Sequence, residues 1–224
     1  MPNNHAFATG LSTSSNYSFF SKLVLFFLKP LRIIISFLKS VEVREVFYKC
    51  SNIGNDVRIG INAWCYNELS RDRINIGDRS VCRGILRIEN WSTGKIDIGK
   101  DVYIGDDSLI SSSKNVCIGD STMIAHGVQI FDNNTHPIDA ETRSLDYFII
   151  RGYKINSSDF NRAEHIKSEE VIIGKRVWIG FNAIIMRGVK IGDDAIIFPG
   201  SIVVNDVPAK SLVAGNPSQI IKKI

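Results

Sequence analysis

His136 is the residue whose type and setting best suit acid–base chemistry. It stands in the polar segment Phe131–Asp139, which reads Phe-Asp-Asn-Asn-Thr-His-Pro-Ile-Asp. An imidazole accepts a proton near neutral pH, so it can act as a general base toward a poor nucleophile. Asp132, Asn134 and Asp139 supply nearby polar side chains that can orient the ring or bind ligand hydroxyls, although such residues are also ordinary turn formers. The segment is therefore the first candidate for a catalytic and acceptor-binding site.

The other three histidines are weaker candidates for the base. His126 occupies the third place of a six-residue repeat, where we expect a surface residue or a subunit contact. His165 stands beside acidic residues at the end of a long insertion, where it is either an ordinary loop residue or a contributor to the acceptor site. His5 lies in the amino-terminal tail. We therefore assign the general base to His136.

An aliphatic residue, often followed by glycine, recurs at a spacing of six along most of the chain. In the carboxy-terminal part the aliphatic positions are Ile173, Ile179, Ile185, Ile191, Ile197 and Val203. A period of six matches neither an α-helix nor the two-residue alternation of a strand. It predicts a parallel β-helix, in which three hexads close a triangular coil and the aliphatic side chains stack inside. The alternative, an all-β sandwich, does not hold its strands to this fixed pitch.

The repeat is interrupted once, after Ile130. About forty residues pass before Ile173 restores it, which is too long for a simple turn in a compact domain. We therefore predict a protruding loop insertion over residues 131–170, and His136 lies near its start. Long insertions into a repeat are often functional, which adds weight to His136 as a catalytic residue.

The repeat and the insertion resemble the hexapeptide-repeat acyltransferases. The resemblance covers roughly residues 53–224 and is strongest from Val171–Gly180 to Ala214–Pro217. The segment around His136 is similar to the Thr-His-Pro-Leu segment of the maltose, galactoside, nodulation-factor and surface-polysaccharide O-acetyltransferases. The resemblance implies a left-handed β-helix, a homotrimer, and direct transfer of an acetyl group from acetyl-CoA to a sugar hydroxyl. Backbone N–H groups would stabilise the oxyanion.

The same resemblance supplies candidate ligand-binding residues. The family places an Asn and an Asp near the acceptor where this chain has Gly105 and Ser113, so we expect Asp106, or alternatively Asp107, to bind the acceptor instead. Pro199 has no N–H to donate, so the amide of Gly200 is expected to replace it at the pantetheine. The positions expected to bind acetyl-CoA are Trp178, Phe181, Pro199, Gly200, Val204, Asn205, Gln219 and Lys222.

Three functional classes remain open at this point. The first is an O-acetyltransferase of a sugar or glycan acceptor, lipid-linked in one version, in O-antigen or capsule biosynthesis. The second is an N-acetyltransferase of an amino sugar nucleotide, which His136 would also serve. The third is a non-catalytic or metal-dependent hexapeptide-repeat protein; a metal is disfavoured because too few histidines are spaced across adjacent coils.

The composition argues against several classes of partner and site. The chain has 224 residues and a net charge of +4 from nearly balanced acids and bases, with no basic cluster interleaved with aromatics, so a nucleic-acid partner is not expected. Four scattered cysteines, without Cys-x-x-Cys spacing, predict neither a zinc site nor disulfides. We expect one domain in the reducing cytoplasm, with its location at the inner membrane face depending on the amino-terminal segment.

The sequence predicts four segments along the chain. Residues 1–18 are expected to be a disordered tail, residues 19–50 an apolar helical segment, residues 51–215 the β-helix, and residues 216–224 a closing element. The apolar segment is either a helix pair, broken near Pro30, that caps the first coil, or an in-plane peripheral membrane anchor. The basic residues do not define one polar face, which favours the cap.

Overall fold

The computed structural model describes residues 19–153 and 160–224. The predicted tail, residues 1–18, lies outside the described residues, as does a short part of the predicted insertion, residues 154–159. By its internal contacts the chain divides into two compact units, with the boundary between Lys39 and Ser40.

Three sheets of very short strands form the faces of a prism. The first contains β1 (Asn52–Ile53), β4 (Ile74–Ile76), β7 (Ile96–Ile98), β10 (Val116–Ile118), β13 (Val171–Ile173) and β16 (Lys190–Ile191). The second contains β2 (Arg58–Ile59), β5 (Val81–Cys82), β8 (Tyr103–Ile104), β11 (Met123–Ile124), β14 (Trp178–Ile179), β17 (Ile196–Ile197), β19 (Ser211–Gly215) and β20 (Ser218–Lys223). The third contains β3 (Trp64–Tyr66), β6 (Ile85–Ile88), β9 (Leu109–Ser112), β12 (Gln129–Phe131), β15 (Ile184–Ile185) and β18 (Ile202–Val203).

Each strand pairs in parallel with the strand one coil further along, except that β20 folds back antiparallel on β19. The inward residues of the second sheet show how the core forms. Ile104, Ile124 and Ile179 are in register on successive coils and all are buried. Burying one such side chain contributes about 1.5–3 kcal/mol, and only the coil above and the coil below can provide this burial. The expected left-handed parallel β-helix of hexapeptide repeats is confirmed.

Helix α1 (Phe19–Cys50) precedes the first coil and continues through Pro30. The expected helix pair, broken at Pro30, is therefore wrong. A proline inside a helix removes one backbone hydrogen bond, but its ring holds φ near the helical value. The turns on either side of Pro30 are therefore sufficient to continue the helix. Near the end of α1, Val43 and Phe47 are buried in the core of the β-helix unit. Within the described residues no helix has the length and hydropathy required to cross a membrane.

The described part of the chain contains no disulfide, since all four cysteines are free. Burial raises the pKa of the Cys82 thiol to about 12, so this side chain behaves as a small apolar core residue. Within the same described ranges, no three His, Cys, Asp or Glu side chains are grouped so that they could hold a metal ion.

Candidate active site

The insertion begins at a buried carboxylate, Asp132, directly after β12. Asp132 is 0% exposed and accepts hydrogen bonds from the backbone N–H groups of Ser113, Lys114 and Asn115, each at 2.8 Å. Its two oxygens also accept from the hydroxyl of Ser112 and from other side chains. Because every contact is made inside the protein, Asp132 fixes the root of the insertion on the preceding coil. The sequence predicts Asp132 at the acceptor; the structure gives it a structural contact set, and acceptor binding stays a prediction.

A left-handed residue turns the chain outward from this root. Thr135 has φ +61°, which is unusual for a β-branched residue, and its backbone N–H donates to the Asn133 side chain at 2.8 Å. The next residue, His136, donates its own N–H to the carbonyl of Asn134 at 2.7 Å. These two hydrogen bonds hold the turn in its left-handed conformation. The turn places the His136 side chain outside the coil, with 48% of it exposed.

Helix α2 (Ala140–Ile150) supplies the partner of the imidazole. Nδ1 of His136 lies 2.7 Å from Oδ2 of Asp146, whose side chain is 0% exposed. The helix is capped by Asp139, which accepts from the backbone N–H of Thr142 at 2.8 Å. Hydrogen bonds from Thr142, first from its hydroxyl and then from its N–H, lower the pKa of Asp139. Asp139 therefore serves first to start the helix that positions Asp146.

The contact fixes the roles of the two ring nitrogens. An ionised carboxylate only accepts hydrogen bonds, so opposite such a carboxylate Nδ1 carries the proton that faces Asp146. Nε2 of the neutral ring then holds a free electron pair. A ring held in this tautomer can take a proton from a ligand at Nε2, and Asp146 stabilises the imidazolium that forms.

Asp146 has a second partner on its other oxygen. Nε of Arg162, the first residue of the short helix α3 (Arg162–His165), lies 2.7 Å from Oδ1 of Asp146. The contact is an ion pair without hydrogen-bond alignment of that N–H. His136, Asp146 and Arg162 thus form a line of three side chains in which the carboxylate lies in the middle. Sequence reasoning identified only the first of them.

Two other predicted residues of the insertion lie close to this line. Asn134 accepts a hydrogen bond from Nε of Arg187 at 2.6 Å, so its side-chain oxygen is already bound within the chain. His165 stacks on Phe160, with ring centres 5.2 Å apart, and among the described residues no hydrogen bond or ion pair links it to His136. A small apolar recess beside His136 is lined by Arg143, Tyr147 and Ile150.

A second group of predicted residues lies along the second sheet and its corner. Asp106 and Trp178 line one groove of about 450 Å³, together with Tyr103, Met123 and His126. Asp106 forms an ion pair with Arg83 at 2.8 Å. His126 stacks on Phe181, with ring centres 5.4 Å apart. The structure thus brings Asp106, predicted for the acceptor, next to Trp178, predicted for the cofactor.

The remaining cofactor candidates lie at separate places on the single chain. Pro199 and Gly200 follow β17 at the corner of Phe181, but the amide of Gly200 donates to the Phe181 carbonyl at 2.9 Å. It is therefore not free to replace the N–H that Pro199 lacks. Val204 and Asn205 lie exposed after β18, the last strand of the third sheet. Gln219 and Lys222 are exposed on β20, at the end of the second sheet.

Comparison with known proteins agrees with this architecture. The family described as bacterial transferase hexapeptide (six repeats) matches residues 170–205. The chain is 28% identical over 195 residues to the putative lipopolysaccharide biosynthesis O-acetyl transferase WbbJ of Escherichia coli K12, covering 84% of this chain and 87% of that protein. It is 32% identical over 129 residues to the galactoside O-acetyltransferase of the same organism, covering 58% and 54% of the two chains.

A solved structure gives the same result for the fold. The chain superposes with a TM-score of 0.60 on AntD, an N-acyltransferase from Bacillus cereus in complex with dTDP and 3-hydroxybutyryl-CoA, covering 82% of this chain and 87% of that one. At 19% identity this likeness concerns the architecture alone.

The relatives that match the chain are named as acetyltransferases, and an acyl-transferring enzyme is the class that they indicate. The matched stretch, residues 170–205, carries hexapeptide repeats of the bacterial transferase type, as the sequence indicated.

Proposed function

We propose that this chain is an acetyl-CoA-dependent O-acetyltransferase that modifies a sugar hydroxyl of a surface polysaccharide, with His136 as general base. The observation that carries the proposal is the pair formed by exposed His136 and buried Asp146, 2.7 Å apart. A base held in one tautomer, on a loop that protrudes from a rigid prism, suits deprotonation of a bulky acceptor. The glycan as substrate is supported by the relative named for lipopolysaccharide O-acetylation.

The reaction follows from the His136 geometry. Nε2 of His136 removes the proton of the acceptor hydroxyl while the hydroxyl oxygen attacks the thioester carbonyl carbon. The tetrahedral intermediate collapses, the C–S bond breaks, and the thiolate leaves with the proton that His136 had accepted. The acetyl group ends on the acceptor oxygen, and no acyl-enzyme forms. Asp146 remains ionised throughout and balances the imidazolium.

The second sheet offers the surface for the donor and for neighbouring copies. Its outward residues form a column of large side chains in register, Tyr103, Met123, Trp178, Ile196 and Leu212. Met123 is 57% exposed and Trp178 46% exposed, while the other three are half-buried, and exposed apolar side chains that lie together mark an interaction surface. We propose that adjacent copies of the prism cover it in a closed homotrimer, with acetyl-CoA in the groove between copies. Sedimentation of an active monomer would contradict this part of the proposal.

Helix α1 supports a location at the inner face of the membrane. Between Val24 and Leu38 its large apolar side chains are exposed; Phe26 is 70% exposed. The segment 19–39 carries the basic residues Lys22, Lys29, Arg32 and Lys39 and no acidic residue. Apolar surface combined with positive charge suits the interface of an anionic bilayer, where a lipid-linked glycan would also be found.

Flotation with vesicles tests this location. The wild-type chain is expected to float with anionic vesicles, less with neutral ones, and less at high salt. The double variant Phe26→Ser/Phe27→Ser should remain at the bottom of the gradient, whereas the control Tyr48→Ser/Leu69→Ser, which also removes exposed apolar side chains, should still float. Equal flotation of both double variants would rule out this use of α1.

The acceptor chemistry is tested by analysis of the product. Purified protein is incubated with labelled acetyl-CoA and candidate glycans, and the label on the glycan is then exposed to mild alkali. An ester of a sugar hydroxyl loses its label under these conditions, whereas an amide on an amino sugar keeps it. Alkali-labile label supports the proposal; alkali-stable label would establish the N-acetyltransferase instead.

A further inference from the structure

The carboxylate of Asp146 is buried between two partners, one on each oxygen. Nδ1 of His136 lies 2.7 Å from Oδ2, and Nε of Arg162 lies 2.7 Å from Oδ1. A buried ionised carboxylate is costly unless a positive charge lies close to it. A general base must be neutral before it accepts a proton, so at that stage Arg162 is the partner that supplies a full charge.

Arg162 is itself fixed from three sides. Its side chain is only 18% exposed, and one terminal amino group donates to the carbonyl of Thr135 at 3.2 Å. Its Cζ lies 5.2 Å from the ring centre of Trp91, which belongs to the turn between β6 and β7. Arg162 thus joins a turn of the prism, the residue before His136, and the helix that carries Asp146.

This arrangement requires the guanidinium group in particular. A planar, delocalised cation can stack on an indole while its separate N–H groups contact a carboxylate and a carbonyl. A lysine ammonium has one charged point on a flexible stem, so it can reach Asp146 but cannot make all three contacts together. The geometry therefore distinguishes charge alone from charge held in one orientation.

We propose that Arg162, stacked on Trp91, is a positioning residue for the transfer reaction. It pairs with the Asp146 carboxylate and keeps it aligned, and so holds the His136 ring with Nε2 toward the acceptor. It touches neither substrate. The inference rests on the proposed function, because it concerns the same base.

The kinetic test compares two arginines that each pair with an aspartate. Arg162→Gln should lower kcat roughly 10- to 10³-fold and leave the KM values for donor and acceptor within about threefold, because it impairs proton transfer rather than binding. Arg162→Lys should recover part of kcat, since the charge returns without the orientation. The control Arg176→Gln removes the exposed ion pair with Asp194 and should keep the wild-type kcat.

Substitutions of Trp91 test the positioning role of Arg162 independently, in case Arg162→Gln does not fold. Trp91→Phe keeps an aromatic face and should retain most activity, whereas Trp91→Leu should lower kcat with KM unchanged. A wild-type kcat in Arg162→Gln, or an equal loss in Arg176→Gln, would overturn the proposal. So would a loss confined to KM, or a Trp91→Leu variant as active as Trp91→Phe.

A spectroscopic readout separates this inference from the proposed function. In wild-type protein the Nδ1–H proton of His136, bound to a carboxylate, should give a far-downfield proton resonance, assigned by its loss in His136→Asn. Arg162→Gln should shift or broaden it, and Arg176→Gln should not. If no glycan is acetylated but the resonance responds in this way, the proposed function fails while the positioning role stands. An unchanged resonance in Arg162→Gln would refute that role.

Discussion

Replacing Asp132 by asparagine should destabilise the whole protein, because the change affects a carboxylate whose two oxygens both accept from N–H donors. Oδ1 accepts from Ser113 N–H and the Asn133 amide, and Oδ2 accepts from the N–H groups of Lys114 and Asn115. In the variant one oxygen becomes an NH₂ group, so two N–H donors lose their acceptor whichever way the amide turns. A buried donor left unpaired costs about 1–3 kcal/mol. The expected loss is therefore roughly 2–6 kcal/mol.

Urea denaturation at one fixed protein concentration measures this loss, because association would otherwise shift the midpoint. Asp107→Asn is the matched control: it makes the same chemical change at an exposed left-handed turn position, where asparagine is equally well tolerated. It should stay within about 0.5 kcal/mol of wild type. If Asp132→Asn behaved like this control, the assignment of Asp132 as the structural root of the insertion would be wrong.

Two further perturbations test the cap and the corner carboxylates. Phe47→Ala should cost about 3–5 kcal/mol of unfolding free energy because Phe47, in the last turn of α1, is 0% exposed. Tyr48→Ala, at a 61% exposed position, should cost little, and thermal melting compares the two variants. The backbone N–H of Lys100 lowers the pKa of Asp120 in the fold, so the stability it contributes is present above the unfolded value near 4 and is lost as pH falls below it. Urea midpoints measured from pH 6 to pH 3 should fall less steeply for Asp120→Asn than for wild type, and equal slopes would contradict this.

The coil architecture could be predicted from sequence because one residue type recurs at one place in every hexad. Ile124 and Ile179 illustrate why even the long insertion did not obscure it. They are 55 positions apart, yet they pair on adjacent coils of the second sheet. The insertion leaves and re-enters at the same corner, between β12 and β13, so it adds chain length without changing the register of the prism.

The environment of His136 could be predicted only in part, because the insertion has no period. Asp146 and Arg162 reach His136 through the folding of α2 and α3, and no spacing in the sequence identifies them as partners. Asp132 and Asp139 are of the residue type that binds hydroxyls, but the same type accepts from backbone N–H groups at loop roots and helix starts. Only the folded structure shows that each of these two carboxylates already accepts hydrogen bonds from backbone N–H groups.

His136 is proposed as the base of an acetyl transfer to a glycan hydroxyl. The rate of thiol release from acetyl-CoA, measured in the presence of the glycan acceptor, tests this role. We expect His136→Asn to lower this rate about 10²- to 10⁴-fold, with Asp146→Asn also strongly impaired and the melting temperature of His136→Asn close to that of wild type. If folded His136→Asn released thiol at the wild-type rate, with ester still forming on the glycan, His136 would not be the base.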